Sequence, residues 1–213
     1  MRAFLTTAAL AFAASPAFSQ CLTSADLAQG ITVTFQAGDY TVTRAMPDGS
    51  LQVDESYVNG NPTVRFTAWK GVFFTEEHEI GPDGAAIPGT RLVIEFPVNP
   101  AKLPAPVAGG SWSGNTTNVF EDGYRRPEAT TITFAAGAPI TLSGCTYDTV
   151  ASTLRYDWGQ DGGLTLHYLY LPQVGLAILQ DNQFDGEAMS TTQAVAMETG
   201  MPAAPMPMPV PTK

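Results

Sequence analysis

The sequence predicts an all-β protein, in which an antiparallel meander forms a curved half-barrel, a barrel or a sandwich. Apolar and polar residues alternate with a period of two, as in half-buried strands, in residues 31–35, 40–43, 63–69, 92–96, 130–134 and 164–171. Turn sequences separate these runs: Pro47-Asp48-Gly49, Asn59-Gly60, Pro82-Asp83-Gly84, Asp122-Gly123 and Asp161-Gly162. Asn-Gly and Asp-Gly supply the positive φ values that tight hairpins need. We therefore expect about ten to twelve short strands.

The segments outside these runs carry other signals. Thr23 and Asp26 fit the cap and first turn of a short helix over residues 24–29 that ends at Gly30. Residues 98–110 contain several prolines and two glycines, which predicts a loop that crosses a sheet edge. Residues 186–200, rich in Ala, Met and Thr, fit either a last strand or a frayed helix.

The two ends of the chain differ in composition from the rest. Arg2, an apolar run over residues 3–14 and Ala17-Phe18-Ser19 form the pattern of a secretory signal peptide. The run is too short to span a bilayer. We expect a signal peptide over residues 1–19 with cleavage near Ser19, and one β domain over residues 20–200. Proline recurs through residues 201–213, which predicts a disordered Pro/Met-rich tail. The mature protein is expected to be soluble and periplasmic or secreted, with no transmembrane segment.

The acidic net charge argues against nucleic acid and anionic lipid as binding partners. The formal net charge is −10, and no cluster of Lys and Arg interrupts the acidic sequence. Nucleic acid and anionic lipid both require cationic neutralisation, so neither is an expected partner. Charged residues make up 14% of the chain, well below the usual quarter, which suits a turn-rich exported β protein better than long helices.

The two cysteines, Cys21 and Cys145, are predicted to form a disulfide, because an even number of cysteines in an oxidising compartment usually pairs. Lipid attachment at Cys21 is an alternative, but it normally follows a small residue and here Gln20 precedes the cysteine. A thiol nucleophile is a weaker alternative, since an exposed thiolate would be oxidised in that compartment.

The two histidines do not predict a metal site. In a strand, Glu76 and His78 share one face while Glu77 and Glu79 share the other, so each face offers too few ligands for zinc or iron. A solvated acidic strand end is the simpler interpretation. His167 is expected to face solvent or to form a hydrogen bond across strands.

Catalytic motifs are also missing from the sequence. The segment from Gly109 to Gly114 lacks the Gly-x-Ser-x-Gly spacing of a serine nucleophile, and no phosphate-binding glycine loop occurs. Neighbouring carboxylates, which a two-carboxylate hydrolase would need, occur at Asp54/Glu55, Glu121/Asp122 and Asp157/Asp161. Sequence spacing alone does not place them across a cleft. We predict no catalytic residue, no metal ligand and no cofactor.

Aromatic residues concentrate on the predicted strands. Their simplest role is an ordinary core, and their alternative role is a groove on one face of a curved sheet that binds an apolar ligand or a partner's strand. The candidate groove residues are Trp69, Trp112, Trp158, Tyr168 and Tyr170, with Phe73, Phe74 and Tyr156 beside them.

Three short segments resemble a broad group of bacterial periplasmic β-meander proteins. They are Gly109-Gly110-Ser111-Trp112, Gly144-Cys145-Thr146-Tyr147-Asp148 and Tyr170-Leu171-Pro172-Gln173-Val174-Gly175-Leu176. The resemblance implies a shape similar to the curved half-barrel of lipoprotein carriers, although the carriers' capping helices have no counterpart in this sequence. It assigns no catalytic residue.

Three functional hypotheses follow from the sequence. The first is an exported, non-enzymatic module of the cell envelope that binds an envelope protein or serves a structural role. The second is a carrier of an apolar small molecule in a concave β groove. The third is a carboxylate-dependent hydrolase of envelope polymers. A filled concave face favours the first, an open apolar cavity the second, and two carboxylates facing a cleft the third.

Overall fold

The computed structural model describes residues 21–201, in which fifteen β-strands and three short 3-10 helices occur and no α-helix does. The predicted signal peptide, and the predicted tail beyond Met201, lie outside the described residues. The strands are β1 (Ile31–Phe35), β2 (Tyr40–Ala45), β3 (Leu51–Ser56), β4 (Thr63–Trp69), β5 (Phe73–Ile80), β6 (Leu92–Glu95), β7 (Ser111–Phe120), β8 (Arg125–Ala136), β9 (Ile140–Leu142), β10 (Cys145–Tyr147), β11 (Val150–Asp157), β12 (Gly163–Leu171), β13 (Leu176–Phe184), β14 (Ser190–Thr191) and β15 (Ala194–Thr199). The 3-10 helices are Ser24–Ala28, Pro100–Lys102 and Gly159–Asp161.

Thirteen strands form one curved antiparallel sheet, which confirms the predicted all-β meander. Its order is β14-β13-β12-β11-β8-β7-β6-β5-β4-β3-β2-β1-β15, and the sheet is not closed into a barrel. Strands β9 and β10 form a separate hairpin between β8 and β11. The strand count exceeds the expected number because β9, β10 and β14 have three residues or fewer, too short to show an alternating pattern.

The last two strands bring the two edges of the sheet together. Only Thr192 and Gln193 separate β14, at one edge, from β15, at the other. The amide of Thr192 donates to Gln180 of β13 at 2.7 Å, and the carbonyl of Gln193 accepts from Gln36, just after β1, at 2.8 Å. Residues 186–200, which the sequence left open between strand and helix, therefore supply strands.

The turn sequences connect neighbouring strands as expected. In the β7–β8 turn, Gly123 has a φ of 86°, and its amide donates to the carbonyl of Phe120 at 2.9 Å. In the β2–β3 turn, Asp48 accepts from the amide and the hydroxyl of Ser50 at 3.0 and 2.7 Å. Residues 98–110 differ from the prediction: they join β6 to its neighbour β7 instead of crossing an edge, and they place Leu103, 2% exposed, in the core.

The N-terminal segment is tied to the β9–β10 hairpin. The predicted disulfide between Cys21 and Cys145 is present, with Cα atoms 5.5 Å apart. The amide of Leu22 also donates to the hydroxyl of Tyr147 at 3.0 Å. The predicted short helix forms as a 3-10 turn over Ser24–Ala28, whose start is fixed by Asp26 accepting from the amide of Thr23 at 2.8 Å.

Two core clusters fill parts of the inner, concave side of the sheet. The terminal core joins the first and last strands to the disulfide hairpin and contains Leu27, Ile31, Val33, Phe35, Leu51, Leu142, Cys145, Tyr147, Leu171, Val174, Leu176, Ile178 and Met197. The central core contains Ala68, Val72, Phe73, Phe74, Ile94, Leu103, Ile132, Phe134, Val150, Leu154 and Tyr156. Within residues 21–201, no helix has the length and apolar character needed to cross a membrane.

Candidate functional site: a polar and aromatic cavity on the concave face

Beside the central core, the concave face encloses a cavity of about 480 Å³, within the range of small-molecule sites. Its wall comes from β3 to β8 and from β11 to β13, near the turns that follow β3, β7, β11 and β13. Aromatic side chains provide much of the lining: Tyr57, Phe66, Phe74, Phe120, Tyr156, Trp158, Tyr168 and Phe184. The polar lining residues are Glu55, Glu77, Asn118, Arg126, Glu128 and Asn182.

The aromatic part of the wall is held by ring contacts between strands. Phe74 packs edge-on against Phe66, with ring centroids 5.6 Å apart, and lies 5.7 Å from the ring of Tyr168. Phe184, which is 44% exposed, stacks obliquely near Trp158 at 6.3 Å. The cavity therefore has an apolar surface for a flat or aliphatic group, with an exposed aromatic ring at its rim.

Glu128 is the most heavily bonded polar group in the wall. One carboxylate oxygen accepts from the hydroxyls of Thr116 and Thr130 at 2.7 and 3.0 Å. The other accepts from the amide of Asn118 at 3.0 Å and the indole of Trp158 at 2.6 Å. A carboxylate has about four acceptor positions, so those of Glu128 are occupied. Glu128, 4% exposed, thus fixes the orientation of its neighbours and is a poor nucleophile or base.

Arg126 and Asn118 face each other across the β7–β8 ladder. The guanidinium of Arg126 lies 4.2 Å from the ring centre of Trp158 and 5.5 Å from that of Phe120. Among residues 21–201, no partner satisfies the buried Nε of Arg126 or the side-chain carbonyl of Asn118, which is 1% exposed. Both residues line the cavity, so its wall contains one buried donor and one buried acceptor without partners. Buried polar atoms without partners are uncommon in proteins and mark places where a ligand can bond.

Glu55 and Glu77 form a second polar region on the other side of the cavity. Phe66 of β4 lies between their strands, opposite Glu77 in the ladder. Burial raises the pKa of Glu77, and the charge of Glu128 raises it further. Burial also raises the pKa of Glu55; a hydrogen bond from Tyr57 opposes this rise, and the charges of Asp39 and Glu77 add to it. Desolvation disfavours the charged carboxylates, so a cation beside them would be favoured.

The structure separates the five predicted groove residues into two groups. Trp158 and Tyr168 line the cavity. All five pack against the central core, and Trp69, Trp112 and Tyr170 are not part of the cavity lining. The ring of Trp112 lies 5.2 Å from that of Phe96 and 6.4 Å from that of Phe73.

The histidines lie apart from the cavity lining. The Nδ1 of His78 is 3.6 Å from Glu76, so these two share a face as the strand pattern predicted, while Glu77 points into the cavity. The Nδ1 of His167 lies 2.5 Å from Asp181 of the neighbouring strand β13, the cross-strand bond that was one of its two expected roles.

None of the three neighbouring carboxylate pairs lines the cavity as a pair. Asp54 bonds to Arg65 at 2.6 Å, while Glu55 lines the cavity. The pair Glu121/Asp122 lies in the β7–β8 turn, and Asp157 and Asp161 flank the β11–β12 turn.

Sequence reasoning did not single out Arg126, Asn118 or Glu128. A signal for Glu128 was present: strand alternation puts it in phase with Thr130, Ile132 and Phe134, the apolar face of β8. A charged residue in the apolar phase of a strand requires a buried partner or a ligand.

Within residues 21–201, no three His, Cys, Asp or Glu side chains lie close enough together to hold a metal ion. Comparison of the chain with protein-family models, with curated proteins and with solved structures gives no match.

Proposed function

We propose that this chain is an exported binding module that holds a small ligand in the cavity on its concave face. The observation that carries the proposal is the cavity itself, because the rest of the concave face is filled by two cores while this part is open. Aromatic rings provide area for an apolar body, and a few buried polar groups provide orientation, as in most small-molecule sites.

The export part of the proposal rests on two features. The disulfide between Cys21 and Cys145 is stable in an oxidising compartment. The first nineteen residues have the pattern of a cleaved signal. Periplasm or the extracellular space is therefore the proposed location, and fractionation with N-terminal sequencing of the mature chain tests it. A mature chain that retains residues 1–19 in the cytoplasm would contradict it.

The cavity supports binding better than two-carboxylate hydrolysis. Such hydrolysis requires one carboxylate free to act as nucleophile or base. The oxygens of Glu128 are occupied by four donors. The two remaining carboxylates, Glu77 and Glu55, lie on one side of the cavity, so no free carboxylate faces them from the opposite side.

Fluorescence titration with N-phenyl-1-naphthylamine, a neutral aromatic probe, tests binding. We expect saturable enhancement in the natural chain. Leu166→Trp adds volume inside the cavity and should abolish the enhancement, because Leu166 lines it. Thr133→Trp, which introduces the same side chain at an exposed position of β8, is the matched control and should bind as the natural chain does. Equal binding by both variants would refute the cavity as the site.

A further inference from the structure

The charges around the cavity are unequal. Three carboxylates line it, those of Glu55, Glu77 and Glu128, against the single guanidinium of Arg126. The Arg126 charge is already covered by the rings of Trp158 and Phe120. With the carboxylates ionised, the cavity would carry two uncompensated negative charges in a site of reduced polarity, where charge interactions are stronger than in water.

A second, independent feature also requires a donor from the ligand. Asn118, which is 1% exposed, lines the cavity, and its buried side-chain carbonyl has no hydrogen-bond partner among residues 21–201. Its amide nitrogen is committed to Glu128 at 3.0 Å, which fixes the carbonyl as the free end. An acceptor in this position bonds to an N–H or O–H group.

We propose that the ligand of this cavity is an organic ammonium compound with an aromatic or aliphatic body. The ammonium group pairs with Glu77 and is attracted by the charge of Glu55, and the body packs on Phe66, Phe74 and Tyr168. A hydroxyl or carbonyl near its other end takes the free Nε–H of Arg126, and an adjacent N–H or O–H donates to Asn118. This inference rests on the proposed binding function and narrows it to one class of ligand.

A metal cation fits the same charge less well. Hard divalent ions need six or more oxygen ligands at one point. Glu55 and Glu77 instead lie on β3 and β5, on either side of β4 and two residues out of register, about 12 Å apart at the backbone from the spacing of strands and residues. An ammonium group needs only one carboxylate in contact, and an organic cation also uses the aromatic wall through cation–π contacts.

Three dansyl probes of matched length test the proposal. Dansylcadaverine ends in an ammonium group, dansyl-pentylamide in a methyl group and dansyl-6-aminohexanoate in a carboxylate. We expect dansylcadaverine to bind about tenfold or more tightly than dansyl-pentylamide, and the carboxylate probe to bind most weakly. The Glu55→Gln/Glu77→Gln variant should lose this preference while it keeps its affinity for the neutral probe. Glu187→Gln, an exposed position, is the matched control.

The outcomes separate the two proposals. If the neutral probe binds and Leu166→Trp blocks it, but the cation is not preferred, the ammonium inference fails and the binding function stands. If the preference survives in Glu55→Gln/Glu77→Gln, these carboxylates are not its source and the inference fails. If no probe binds, including N-phenyl-1-naphthylamine, the binding function fails as well. Competition by CaCl₂ at millimolar concentration would point to a metal ion instead and would also overturn the inference.

Discussion

Glu77 makes the stability of the folded chain depend on pH. Burial raises its pKa above the ordinary value of 4.5, and Glu128 and Glu55 face it as like charges. The folded state therefore keeps the proton at pH values where the unfolded chain has released it. Stability falls as pH rises from 4.5 through the folded pKa, because the folded state binds more protons over that range.

Glu77→Gln should remove much of this pH dependence. We expect a higher melting temperature at pH 7.5 than in the natural chain, and a smaller fall between pH 5 and pH 7.5, both measured by circular dichroism. The surface ion pair of Glu95 does not interfere in this pH range. Arg125 lowers the pKa of exposed Glu95, so the contribution of this pair to stability changes only below the ordinary pKa of 4.5. Glu187→Gln should leave the profile unchanged, and an equal profile for Glu77→Gln would contradict the argument.

Trp112 and Trp158 allow core packing to be separated from the cavity. Trp112→Ala removes ring contacts with Phe73 and Phe96 and should cost about 3–5 kcal/mol in urea unfolding. Its affinity for N-phenyl-1-naphthylamine should stay within a factor of about two. Trp158→Ala should weaken probe binding markedly, because it removes a wall ring, the stacking surface of Arg126 and one donor to Glu128. Similar binding losses in both variants would argue against this division.

At the scale of strands, the disulfide adds a covalent link to the core packing of the small β9–β10 hairpin. It links the N-terminal segment to that hairpin across 124 residues. The Cys21→Ser/Cys145→Ser double variant should lose about 2–5 kcal/mol of stability in urea unfolding. Probe binding in the folded variant should persist, because the hairpin packs in the terminal core, away from the cavity. A loss below 1 kcal/mol would show that the terminal core holds the hairpin without the bond.

Strand alternation predicted β1 and β4 to the residue, and Asp-Gly and Asn-Gly placed five turns, because both signals are local. The β9–β10 hairpin was missed, since its strands are three residues long and depend on Cys145 and Tyr147 packing far along the chain. The cavity was only partly foreseen. Alternation shows that Glu76 and Glu77 face opposite sides, but curvature decides which side is concave, and curvature arises from the whole sheet.

For the whole molecule, residues 190–199 protect both edges of the sheet. Truncation after Gly186 removes β14 and β15 and leaves β13 and β1 with unpaired backbone groups. Such edges pair with other chains, so we expect oligomers by size-exclusion chromatography with light scattering. Truncation after Met201 is the matched control: it keeps both strands and removes a proline-rich segment, so the melting temperature should change by no more than about two degrees. Oligomers in the control alone would contradict this role.

The pairing of β1 with β15 also determines when the sheet can finish folding during synthesis of the chain. Ile31 pairs with Thr199, and the hydroxyl of Thr32 donates to Gly200, 168 positions later. At synthesis rates of 5–20 residues per second, roughly 8 to 34 s pass between the synthesis of β1 and that of β15. Throughout that interval the outer edge of β1 has no partner of its own. The sheet therefore reaches its final pairing only after Thr199 has been synthesised, so β1 cannot complete its ladder strand by strand as the chain emerges.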